Sequence, residues 1–145
     1  MSPNPGVRHI GIEVEGIQAR AALHDREAPL TAEALWAALP IEADLLQSRW
    51  SGETTFAVVN ALLRPDLPVE NRATFMYPGT IHVGPTKGNL GIPYGQAQSR
   101  DLGGDNTWGT VVATLVGDAG PLFAVLRAVI DTGAKRVRLT REDVP

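Results

Sequence analysis

The stretch Tyr77–Asn106, YPGTIHVGPTKGNLGIPYGQAQSRDLGGDN, decides how the chain is to be read. Gly79, Gly84, Gly88, Gly91, Gly95, Gly103 and Gly104 recur in it between short apolar pieces. Glycine reaches backbone conformations that other residues adopt only at a cost, so this density predicts frequent turning, as in a closed sheet. Thr80–Val83 and Leu90–Tyr94 read as short strands joined by a wide loop, Gly84–Asn89, in a hairpin. A phosphate loop is excluded: Gly79 and Gly84 have its spacing, but Pro85-Thr86 follows where Lys and Ser or Thr are needed.

Working outward, the strand pattern continues on both sides. Ile10, Ile12 and Val14 alternate with polar or small residues, Glu15-Gly16 marks a turn, and Ile17–Leu23 resumes the alternation as an opening hairpin. Thr31 stands where a helix N-cap is expected, ahead of AEALWAAL, and Pro40 ends that helix. The segment Ile41–Glu53 predicts a bent connection with one helical turn near Ala43–Leu46. Thr54–Leu62 then reads as a strand, Arg64–Pro68 as a proline-bearing loop, and Ala73–Met76 as a strand. Trp108–Val116 has the composition of a buried strand. Leu122, Val125, Leu126, Val129 and Ile130 recur at helical spacing behind Asp118 and Pro121, and Gly133 is placed to stop that helix. Val137 and Leu139 alternate with Arg136, Arg138 and Thr140 in a last strand with a wet, basic face. The expected fold is mainly β: a closed eight-stranded barrel capped by two α-helices, with residues 1–6 as a loose lead and 7–145 as one domain.

Bulk composition narrows the function classes. At 145 residues, 43% hydrophobic and 20% charged, the chain has enough apolar material for one core. A formal charge of −3 offers no general attraction to nucleic acid or anionic lipid. The absence of cysteine excludes a disulfide framework and thiolate metal sites. No apolar run approaches the roughly 18 residues of a membrane span, and the opening MSPNPGVRHIG lacks the form of a signal peptide. The expectation is a cytoplasmic protein with a small-molecule ligand, no nucleic-acid or membrane partner, no cofactor and no metal, with homo-oligomerisation open.

The order of elements, with ALWAALPIEADLLQSRWSGE (residues 34–53) and GIPYGQAQSRDLGG (residues 91–104), resembles a family of small bacterial proteins of unknown function with a cyclophilin-like fold. The resemblance runs from about Val7 to Arg141. It implies an eight-stranded barrel capped by two helices, and no settled activity. Cyclophilins that isomerise prolyl bonds set an arginine a few residues before a Phe-Met pair, then a glutamine and Gly-Gly-Asp. Here Arg72 lies too close to Phe75-Met76, Tyr77-Pro78-Gly79 follows, and Gly103-Gly104-Asp105 comes much later. No catalytic residue carries over.

Two groups of residues carry candidate recognition chemistry. Arg49, Trp50, Ser51 and Glu53 bring a guanidinium, an aromatic face, a hydroxyl and a carboxylate together, a set suited to a small anionic or planar ligand or, equally, to an ion pair beside a core tryptophan. Tyr77, Tyr94, Gln96 and Gln98 offer phenols and amides that read donors and acceptors on a ligand or else satisfy loop backbone. The ligand-binding set expected from sequence is therefore Arg49, Trp50, Glu53, Tyr77, Tyr94 and Gln96. His82, between Ile81 and Val83, points away from both; it is either an acid-base group or a satisfied imidazole. Asp101 and Asp105 form a possible carboxylate pair or, more simply, solvated turn residues. The expected role is binding, with or without transformation, of a small polar carboxylate- or amide-bearing metabolite; the alternative is a protein- or peptide-binding module.

Overall fold

The computed structural model describes residues 6–142; the N-terminal lead expected over residues 1–6 falls outside them except for Gly6, as do residues 143–145. Strands β1 (His9–Val14) and β2 (Ile17–Leu23) form the opening hairpin, closed by Glu15 at φ 50° and Gly16 at φ 80°. Positive φ at both central residues gives a turn whose twist matches that of the strands it joins. Helix α1 (Pro29–Ala38) follows, then β3 (Ile41–Gln47), β4 (Gly52–Val58) and a short 3₁₀ turn (Asn60–Leu62). The two-residue strands β5 (Arg72–Ala73) and β6 (Phe75–Met76) precede β7 (Thr80–Gly84), β8 (Asn89–Gln98) and β9 (Gly109–Val116). A helical segment split into α2 (Gly120–Arg127) and α3 (Val129–Thr132) leads to β10 (Lys135–Arg141).

Every strand pairing is antiparallel, and the order β2-β1-β10-β3-β4-β8-β7-β9 closes through a β2–β9 pairing into an eight-stranded barrel. Closure removes the open edges that would otherwise template further pairing. β5 adds outside the ring on β9, and β6 pairs with the far end of β8. The interior is filled by alternate side chains from all eight strands, among them Ile10, Ile12, Leu45, Ile81, Leu90, Ile92, Val112 and Leu139. α1 follows the C-terminal end of β2 and α2 that of β9; because these strands are antiparallel neighbours, the two helices lie at opposite mouths. Leu35 of α1 and Leu122 and Leu126 of α2 enter the same core.

Several elements differ from their sequence readings. The strand read over Thr54–Leu62 ends at Val58, with the 3₁₀ turn at Asn60–Leu62, and the one read over Ala73–Met76 is two short strands, β5 on β9 and β6 on β8. Ile41–Gln47 is a full strand, because Ile41, Ala43 and Leu45 point inward while Glu42, Asp44 and Leu46 point out, a period of two that the charged residues disguised as a helical turn. Thr31 is not the N-cap of α1: Ala28 holds that position without a side-chain bond, and Thr31 is buried in the first turn. Two amides of that turn are taken up by Glu70, whose carboxylate accepts from Thr31 N at 2.8 Å and Leu30 N at 3.3 Å. The second helix spans its expected length to Gly133 but is broken at Ala128 into α2 and α3, and Ile130, expected on its buried face, is 58% exposed.

Candidate functional site

A barrel this size fills its interior with side chains, so a ligand must sit on the outer wall or at a mouth. The outer wall of β4, β8 and β7 carries the best candidate. There β8 bulges against β4: Gly52 pairs with Ala97 and Thr54 with Pro93, so Glu53 alone faces Tyr94, Gly95 and Gln96. A bulge frees backbone amides from the ladder. The Gln96 amide donates to Glu53 Oε1 at 3.0 Å, and Arg127 at the end of α2 donates to Glu53 Oε2 at 2.9 Å. Gly95 allows this, since a Cβ at that position would overlap the Glu53 carboxylate. The Gln96 amide first, then Arg127, holds the Glu53 carboxyl below the usual carboxylate range.

Beside this clasp lies an open cleft of about 730 Å³, lined by Glu53, Phe75, Tyr77, Gln96, Gln98 and Arg100 among others. Phe75 and Tyr77 are 55% and 65% exposed with ring centroids 6.2 Å apart, forming one aromatic wall. Arg100 Nη2 donates to Gln98 Oε1 at 3.1 Å. Ser51, Met76 and Arg100 line both this cleft and a smaller chamber of about 80 Å³, so the two spaces adjoin. Trp50, Phe56, Trp108 and His82 border the chamber, with the Trp50 and Phe56 rings 5.4 Å apart.

His82 sits on the outer face of β7, opposite the inward Ile81 and Val83, yet is only 4% exposed because the chamber walls cover it. Its protonation pattern follows from its neighbour. Thr80 Oγ1 donates its single proton to the Tyr77 carbonyl at 2.6 Å, so it accepts from His82 Nε2–H at 2.8 Å. Nδ1 is then an unprotonated acceptor, and it has no hydrogen-bond partner among the described residues. Burial lowers the His82 pKa to about 4, so the ring is neutral at pH 7.

The structure brings Glu53, Tyr77 and Gln96 together in the cleft and Trp50 beside it in the chamber. Arg49 is exposed in the turn before β4 and lines neither space. Tyr94 is 2% exposed and points into the barrel, where its hydroxyl donates to Gln47 Oε1 at 2.6 Å while Gln47 Nε2 donates to Ser48 O and Gly52 O. Tyr94 thus braces the Arg49–Ser51 turn from inside. Burial, then the Glu53 charge, raises its phenol above the ordinary value. Asp101 accepts from the Gly103 and Asp105 amides and closes its own turn. Arg100 and Arg127 were missed by sequence reasoning. Arg100 lies in the segment GIPYGQAQSRDLGG (residues 91–104) but has no distinguishing spacing, and Arg127 is remote from it in the chain.

A second hollow of about 540 Å³ lies on the opposite wall, along β1, β2 and β10. Within it Arg20 and Glu142 form an ion pair at 2.7 Å. Among the described residues no group of three or more His, Asp or Glu side chains is arranged to hold a metal ion. No helix among them is long and apolar enough to cross a membrane.

The fold matches the structure of McbB in complex with tryptophan at a TM-score of 0.73 and 20% identity, covering 94% of this chain and 46% of that one. This chain therefore spans about half the length of McbB. The solution structure of the hypothetical protein AF2241 from Archaeoglobus fulgidus matches at a TM-score of 0.66 and 16% identity, covering 98% of this chain and 100% of that one. At these identities the likeness is one of fold. No curated protein sequence matches the chain. A family profile described as "Protein of unknown function (DUF3830)" matches residues 10–141, which run from the first core residue of β1 to the end of β10, and the chain belongs to that family.

Proposed function

We propose that this protein binds a small polar metabolite, bearing carboxylate or amide groups, in the outer-wall cleft between β6 and the β4–β8 bulge. One observation carries the reading: an aromatic wall (Phe75 and Tyr77), two side-chain amides (Gln96 and Gln98) and a guanidinium (Arg100) face a single cleft of about 730 Å³. That volume suits a small molecule. Arg100 supplies bidentate pairing for a carboxylate, the glutamines match either donors or acceptors, and the rings cover flat apolar area. Glu53 is committed to Arg127 and the Gln96 amide and stays ionised, so it supports a positioning role rather than proton donation. The same reading takes the protein as a cyclophilin-like barrel of the bacterial cytoplasm, without nucleic-acid or membrane partners and with self-association open; the formal charge of −3 supports the first of those exclusions.

The test is a titration of ¹⁵N-labelled protein with L-amino acids, including glutamine and tryptophan, and with dicarboxylates such as succinate. Tryptophan is included because it accompanies McbB, a protein of the same fold. Saturable shifts of the Tyr77, Gln96, Gln98 and Arg100 amides are expected, and Arg100→Ala should weaken binding about tenfold, equivalent to about 1.4 kcal/mol. A panel that moves none of these amides, or binding unchanged in Arg100→Ala, sinks the reading. Shifts produced only by a proline-containing peptide would assign the cleft to protein recognition instead.

A further inference from the structure

We infer that the small chamber behind the cleft is a recognition subsite in which His82 Nδ1 accepts a hydrogen bond from a neutral N–H or O–H group at the compact end of the ligand. This rests on the cleft being the binding site, and it specifies which end of the ligand goes inward.

Four observations carry it. The Thr80 hydroxyl is spent on the Tyr77 carbonyl, so His82 must carry its proton on Nε2 and present a bare lone pair on Nδ1. That lone pair is buried and has no partner among the described residues. A buried polar atom left unpaired is costly, and such atoms in native proteins are met by water or a ligand. His82 borders the chamber, whose volume of about 80 Å³ exceeds the roughly 10–15 Å³ needed for one water; Nδ1 itself has almost no accessible surface, so an inserted group reaches it by displacing a lining side chain. Gly109 borders it without a side chain, and a Cβ there would stand 3.9 Å from His82 Nδ1. Finally, Ser51, Met76 and Arg100 line both the chamber and the cleft, so the two spaces are neighbours with these side chains between them.

The lining selects the chemistry of the inserted group. No carboxylate is among the residues that border the chamber, so an ammonium or guanidinium would be desolvated without a counter-charge. A carboxylate would meet the lone pair of a neutral imidazole, with the one cation, Arg100, on the exposed rim. A neutral donor such as a carboxamide, a hydroxyl or a ring N–H satisfies Nδ1 and packs against Trp50, Phe56 and Trp108. The ligand class is therefore a molecule with a carboxylate held outside at Arg100 and a compact, uncharged donor inside.

Acetamide and acetate separate the alternatives, being nearly the same size and differing in charge and donor capacity. The wild-type His82 ring nitrogens are read directly by long-range ¹H–¹⁵N correlation while each probe is added. Acetamide should move Nδ1 away from the position of a bare acceptor, saturably, together with the Gly91 and Gly109 amides, and acetate should not. His82→Phe should abolish the Gly91 and Gly109 shifts; His82→Gln, which retains an acceptor, should retain a part of them if the phenyl variant does not fold. An Nδ1 signal unmoved by acetamide, or equal response to acetate, overturns the subsite. Failure here with persisting shifts at Gln96 and Gln98 from the amino-acid panel overturns the subsite alone, whereas loss of the latter overturns the cleft.

Discussion

At the residue scale, His82 shows how a side chain of ambiguous sequence meaning acquires a definite chemical state. Alternation along Thr80–Gly84 places it opposite Ile81 and Val83, on the outer wall, but its burial there, around a chamber bordered by Trp50, Met76 and Trp108, comes from tertiary packing. Its pKa of about 4 against the ordinary 6.5 makes stability depend on pH. The unfolded chain protonates this imidazole near 6.5 and the folded one only near 4, so the unfolded state binds more protons between those values. Stability should therefore fall as pH drops from about 6.5 to about 4 and gain no further loss from this group below that. The full effect is about 3 kcal/mol at most. Denaturant midpoints measured at pH 7 and pH 4.5 should converge in His82→Phe relative to wild type; an unchanged pH slope would show that His82 is not buried. The glycines carry a similar lesson. Gly88, at φ 68°, does turn the chain, but Gly91 and Gly95 lie within β8, where they make room for Met76 and for the Glu53 carboxylate.

At the element scale, the loop between β4 and β7 is held by its contacts rather than by its own pattern. Glu70 ties it to α1, accepting the Leu30 and Thr31 amides while its own amide donates to the Thr110 hydroxyl at 3.0 Å. A carboxylate at a helix N-terminus satisfies orphan donors and meets the positive end of the helix dipole. Glu70→Ala should cost about 1 kcal/mol and lower the Tm by about 3 °C, and Glu70→Gln should cost less. An Ala variant as stable as wild type would remove the cap from the account. The same loop continues through β5 into β6, whose Phe75 forms the aromatic wall of the cleft with Tyr77, so faster amide exchange at Phe75 and Tyr77 should accompany the loss of Glu70. β3 belongs at this scale too. Its alternation of Ile41, Ala43 and Leu45 was visible, but Glu42 and Asp44 read as helix-compatible until partners on β10 appeared, where Arg136 meets Asp44 at 3.2 Å.

At the scale of the whole molecule, one core joins both helices to all eight strands of the ring, so damage at either mouth should be felt throughout. Leu126 is fully buried beneath α2. Leu126→Ala should destabilise the protein by about 3 kcal/mol in a single cooperative transition. A separate early transition would mean that α2 unfolds apart from the barrel. Because Arg127 follows Leu126 and clasps Glu53, this plug also aligns one end of the cleft, and the same variant should loosen the Glu53 contact.

The sequence by itself determined the mainly β class with two helices, the opening hairpin, the proline exit from the first helix and the strand–loop–strand reading of Tyr77–Asn106, since each depends on local periodicity or on the backbone limits of Gly and Pro; the expected barrel of eight strands is also found, but with β3 in the ring in place of residues 73–76. It also singled out Glu53, Tyr77 and Gln96, which share the cleft. What lay beyond its reach was set by distant pairing. Arg127 meets Glu53 across 74 positions and Glu70 reaches Thr31 across 39. Whether Tyr94 faced the cleft or the core turned on a bulge in β8 that only its partner strand defines. Local pattern fixes which face a side chain takes along a strand; which faces meet, and which groups are buried when they do, is decided by barrel closure.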